Sequence, residues 1–76
     1  MVLEKIIDII SEQLEIDKSV IKESSTLEED LGAGSLDMID LAMSIEDEFG
    51  IELSDDVIED LSTVGDLAKY VAAHKK

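Results

Sequence analysis

Seventy-six residues suit one small domain with a modest core. Six lysines, no arginine and twenty Asp and Glu give a net charge of −14, which repels nucleic-acid backbones and anionic membranes and favours partners with basic patches. With no cysteine, the chain has no disulfide, no thiolate metal site and no sulfur of its own to form a thioester.

The charge is unevenly laid out. No basic residue stands between Lys22 and Lys69, while acids recur throughout that interval. Apolar residues make up 45% of the chain but include one Phe and one Tyr, so Ile, Leu, Val and Met must fill the core. This apolar content is periodic, which argues against disorder. No run approaches the ~20 apolar residues of a membrane span. An amphipathic pattern begins directly after Met1 with no signal peptide, so a cytoplasmic domain without membrane insertion is expected.

Val2, Leu3, Ile6, Ile7, Ile9, Ile10 and Leu14 recur at helical spacing, which predicts an amphipathic helix over 2–14. Residues 15–34 form a long connection. Ile16, Val20, Ile21, Leu27 and Leu31 can pin it to the core, and Ser25 followed by Glu28 resembles a capping box. Gly32 and Gly34 punctuate the chain before a second long helix, predicted over 36–49. Gly50 suits a left-handed C-terminal position. Ser54 reads as an N-cap for a short helix over 55–61, and Thr63 with Asp66 caps a last helix over about 64–74. The predicted fold is all-α: a small four-helix bundle with three longer helices, one short one, and a long loop between the first and second.

On a wheel of the second helix, Ile39, Ala42, Met38, Ile45 and Phe49 share an apolar arc. Asp37, Asp40, Ser44, Asp47 and Glu48 lie opposite, with Leu36 and Met43 at the border. Glu46 falls inside the apolar arc and is expected at its exposed edge. Acidic stripes are commonly plain solvated faces; flanked by two bulky apolar side chains, this one also reads as a docking surface.

Ser35 stands at the mouth of that helix. One reading is an N-cap; the other is a chemical handle. A nucleophilic serine needs a base and an oxyanion hole, and the lone His74 lies near the C-terminus. Gly32 and Gly34 are followed by no lysine, so a phosphate-binding loop fails. Residues 28–34 lack the ligand ladder of a calcium loop. No catalytic residue and no metal ligand set is expected, which leaves a serine that another enzyme modifies.

The strings D-L-G-A-G-S-L-D-M-I-D-L, S-I-E-D-E-F-G-I-E-L-S-D-D and L-S-T-V-G-D-L resemble the acyl carrier protein family, over residue 2 to about 73. The resemblance implies a single acyl carrier domain over 1–76, acting as a monomer. It implies that Ser35 carries 4′-phosphopantetheine, transferred from coenzyme A by a holo-acyl-carrier-protein synthase. The arm's thiol would supply the missing sulfur and hold acyl intermediates as thioesters for fatty acid synthesis enzymes with basic patches. Asp37, Asp40, Glu46, Asp47, Asp56 and Glu59 match acidic partner-contact positions, and Leu36 and Met43 match apolar ones. Phe49, Ile51, Leu53, Val57, Ile58 and Leu61 are candidates to line an acyl pocket, or a plain core. Gly34 stands where the family usually has aspartate, a residue the holo-synthase uses. Rival readings are a carrier for polyketide or other non-standard acyl groups, an unmodified acidic adaptor, and a protein responsive to divalent cations.

Overall fold

The computed structural model describes residues 2–75, apart from the side chains of Ser35, Asp55 and Glu59. Its helices are α1 (Val2–Leu14), α2 (Ser35–Phe49), α3 (Asp55–Asp60) and α4 (Val64–His74). The predicted all-α bundle of three longer helices and one short one is thus the observed architecture.

Helix α1 lies between α2 and α4, and α3 packs against α2. The centre of the core follows from the helical spacing of the apolar residues. Ile6 and Ile10 of α1, Leu41 and Ile45 of α2, and Val64, Leu67 and Val71 of α4 are almost completely removed from solvent. Burying each such aliphatic side chain contributes about 1.5–3 kcal/mol. Across the helices, Lys5 Nζ reaches Glu48 Oε2 at 3.0 Å, and Lys18 Nζ reaches Asp8 Oδ1 at 2.7 Å. Both pairs are solvated, so they orient more than they stabilise.

The helix ends follow capping chemistry. Gly50 closes α2 at φ 67°, with its N–H donating to Glu46 O at 2.8 Å. Ser54 Oγ accepts from Val57 N at 3.4 Å, and Thr63 Oγ1 accepts from Asp66 N at 3.1 Å, as their spacing predicts. Helix α1 ends differently: Glu15 takes φ 55°, a conformation that favours glycine.

The long connection is more structured than its sequence suggested. Lys18–Val20 form a single 3₁₀ turn, started by Asp17, whose carboxylate accepts from Ser19 N at 3.0 Å. The Ser25–Glu28 capping box does not form. Ser25 is buried, and its hydroxyl accepts instead from Lys22 N. The reciprocal pair lies one residue on: Thr26 N donates to Asp30 Oδ2 at 2.9 Å, and Asp30 N donates to Thr26 Oγ1 at 3.0 Å. Ile21, Leu27 and Ala33 anchor this segment in the core. Its main chain is also stitched to the start of α4. Leu27 N donates to Ser62 O, Val64 N to Ser25 O and Gly65 N to Glu23 O, which makes a bridge between Thr26 and Thr63.

Candidate functional site: the N-terminus and exposed face of α2

Three local features aim the chain at Ser35. Gly32 takes φ 71°, which turns the backbone. Ala33 then docks in the core, with its N–H donating to Leu27 O at 2.9 Å. Gly34 emerges, exposed and extended, as the N-cap of α2. Ser35 is therefore the first residue of the helix rather than its cap, one position earlier than predicted. The cap-like bond belongs to Asp37, whose Oδ2 accepts from Gly34 N at 3.1 Å. A carboxylate there complements the positive end of the helix.

This end suits an anion. The first amides of a fifteen-residue helix have no carbonyl one turn before them, so they favour an anion. Approach is open: Gly32, Gly34 and Leu36 are all exposed. A Cβ built on Gly34 would meet only Asp37 Oδ2, at 3.9 Å. The side chain of Ser35 itself lies outside the described residues.

From Ser35 an exposed apolar stripe runs down α2. Leu36 is 78% exposed, Ile39 46% and Met43 58%. Their spacing of three and four residues puts them on one side of the helix. Asp40 and Asp47 are exposed beside the stripe, Asp56 is exposed on α3, and Asp37 is half-buried. Glu59, also read as a partner position, has its side chain outside the described residues.

Two features of the wheel are corrected. Ile39, placed on the core arc, faces solvent, and Leu41 takes a core position instead. The missed signal was simple: Ile39 is three residues from Leu36 and four from Met43. Glu46 lies half-buried because it has an internal acceptor role. Its Oε2 accepts from Leu53 N at 2.7 Å, tying α2 to the loop before α3.

The six candidate pocket residues join one continuous cluster. Ile51 and Leu53 are buried, while Phe49, Val57, Ile58 and Leu61 are half-buried against the core. Beside them a surface hollow of about 420 Å³ is bounded by Ile51 and Val57 on one side and Tyr70 and His74 on the other. His74 stacks on Tyr70 with ring centroids 4.0 Å apart, and its Nδ1–H donates to the Tyr70 carbonyl at 2.9 Å. This is a helix-end role for the lone histidine.

A family profile describing a phosphopantetheine attachment site matches residues 4–71. The chain belongs to the acyl carrier protein family. It is 50% identical to an acyl carrier protein of Clostridium acetobutylicum, over 97% of this chain and 96% of that one. It is 42% identical to an acyl carrier protein of Prochlorococcus marinus, over 97% of this chain and 92% of that one. Among solved structures, a putative acyl carrier protein from Mycobacterium tuberculosis superposes with a TM-score of 0.88. That match has 34% sequence identity and covers 96% of this chain and 97% of that one. Phosphopantetheine is the prosthetic group of such a domain.

Proposed function

We propose that Ser35 is the attachment point. Its hydroxyl oxygen forms a phosphodiester with 4′-phosphopantetheine from coenzyme A, its proton leaves, and adenosine bisphosphate departs. The reading is carried by one observation: within the matched region, Ser35 opens a long helix directly after an exposed Gly34. The bound arm supplies a thiol, and acyl groups ride on that thiol as thioesters.

The chain acts as a carrier and not a catalyst. Its work is presentation in the cytoplasm, to enzymes of fatty acid synthesis. Leu36 and Met43 give a docking enzyme apolar anchors, while Asp37, Asp40, Asp47 and Asp56 set its orientation through basic patches. Glu46 and Glu59 add to that acidic face. Such encounters are brief, since the cargo must move on. Phe49, Ile51, Leu53, Val57, Ile58 and Leu61 shelter the acyl chain between transfers.

Incubation with coenzyme A, Mg²⁺ and a holo-synthase tests the assignment by intact mass. The expected result is a gain of one phosphopantetheine moiety in the wild type and none in Ser35→Ala. Loading of Ser35→Ala to the same extent would move the arm elsewhere.

A further inference from the structure

Where the first turn of α1 meets α4, the surface holds a hollow of about 690 Å³, and no described residue of α2 lines it. Its floor is apolar, made by Val2 and Leu3 of α1 and Ala68 and Ala72 of α4. Its rim is charged and polarised. Glu23 and Asp66 stand where α4 begins, with Gly65 N bonded to the Glu23 carbonyl, while Lys69 and Lys75 follow along the helix. Asp66 and Lys75 are about 13 Å apart along the axis. All four charged residues are exposed, and among the described residues none of them forms an ion pair. Asp66, Lys69 and Lys75 also leave α4 and its cap without net negative charge, unlike α1, α2 and α3.

An acidic end and a basic end on one apolar strip make this surface complementary to itself. A two-fold axis at the level of residue 70 lays α4 antiparallel on the α4 of a second copy. Ala68 then faces Ala72, and Lys75 reaches Gly65, beside which Glu23 and Asp66 stand. Each contact occurs twice. We propose that the groove is a self-association surface pairing two copies of this chain through antiparallel α4 helices. The net charge of −14 does not forbid it. Helix α1 lies between α2 and α4. It is about 10 Å across and the screening length in physiological salt is about 8 Å, so the acids of α2 are largely screened across the contact. The floor is small, however. A standard interface takes about 800 Å² from each partner, roughly a sixth of the 4832 Å² this molecule exposes, and four short apolar side chains supply less. The pair is therefore weak and forms at high protein concentration. The single copy that the family resemblance implies is the dilute form. Leu36, Ile39 and Met43 lie outside the groove, so a pair presents two docking faces at once.

Sedimentation equilibrium of the unmodified full chain tests this across roughly 0.01–1 mM, where small interfaces dissociate. The wild type should pass from monomer to dimer in that range and go no further. Lys75→Glu alone and Asp66→Lys alone should each weaken pairing roughly tenfold, because the axis repeats each small surface ion pair. Mixed in equal amounts, the two variants should pair about as well as the wild type, since each reversed charge then meets the other. A misfolded variant is not rescued by mixing. Thermal melts check folding, and Glu23→Lys, an exposed loop change at the same acidic end, replaces Asp66→Lys if that helix start is weakened. A wild type that stays monomeric to the top of the range overturns the proposal. So does a mixture that pairs no better than its components. Assembly beyond the dimer, with Asp66→Lys indistinguishable from the wild type, marks seating of the acidic α2 in the groove of the next copy and overturns the two-fold contact.

Discussion

Gly65 N donates to the Glu23 carbonyl at 2.9 Å, and a Cβ on Gly65 would stand 3.1 Å from that same oxygen. The first turn of α4 and the long loop therefore meet backbone to backbone. Gly65→Ala gains helix propensity while crowding the carbonyl, two effects of opposite sign. Gly65→Val keeps the crowding and adds branched carbons. It should destabilise the fold by about 1–3 kcal/mol, the usual cost of overpacking. Urea unfolding of the three proteins checks this.

Leu36 contributes little to folding because most of it faces water. Leu36→Ser should change stability by less than about 0.5 kcal/mol. As a docking anchor, though, the same change should raise the KM of a holo-synthase for this protein about tenfold. Paired melting and loading kinetics separate the two roles. A large stability loss with unchanged KM would reverse the assignment.

Glu15 holds a left-handed backbone that costs a side-chain-bearing residue about 1–2 kcal/mol. Glycine removes that strain but loses more chain entropy on folding. The balance favours Glu15→Gly by about 0.5–1 kcal/mol. Glu15→Ala removes the same charge and keeps the strain, so it should gain less. Thermal melts of both variants separate conformation from charge.

Asp17 is held below its ordinary pKa of 3.8, first by the backbone N–H of Ser19 and then by its hydroxyl. A depressed carboxylate stabilises the fold above its unfolded pKa, and that contribution fades as pH falls through the folded value. The wild type should therefore exceed Asp17→Ala in Tm above about pH 4. The gap should close on further acidification. Lys18 behaves in the opposite sense. The Asp8 carboxylate raises it above 10.5, through a side-chain hydrogen bond and then charge attraction. Its contribution is complete below that pH and is lost as pH rises through the higher folded value. Melting curves from pH 2 to 11 on both alanine variants check the two limbs.

Gly34→Asp restores the residue that the family usually has before its modified serine. The site accepts it: φ is −84°, and a Cβ meets only Asp37 Oδ2 at 3.9 Å. Aspartate is at least as good an N-cap as glycine, so stability should shift by only a few tenths of a kcal/mol. Loading by a holo-synthase should be faster than in the wild type. Equal rates of mass gain would remove Gly34 as a determinant.

The helices were legible because their apolar residues repeat at helical spacing, and Gly50, Ser54 and Thr63 mark ends by local chemistry. The start of α2 beside Ser35 was legible to within one residue from the Gly32 and Gly34 that punctuate the chain. The long connection was not, because its order comes from residues far along the chain: Ser25 gives its carbonyl to Val64 N, and Leu27 donates to Ser62 O. A local Ser–Glu spacing cannot compete with that. Ile39 was misplaced because the arc was drawn by apolarity alone, and Ile39 at its edge shares the side of Leu36 and Met43. Leu41 is buried in the core, while Ile39 is exposed. Glu46 looked out of place on the wheel because the acceptor role that explains it depends on a turn seven residues later.

The stitching of 23–27 to 62–65 also bears on biosynthesis. A nascent chain that stops short of residue 62 lacks the segment that orders the residues leading to Ser35. Loop closure over this span has an entropic cost that is offset only once both ends are present. The stretch that leads to Ser35 thus gains its order only once residues 62–65 have also been made and have folded back on it.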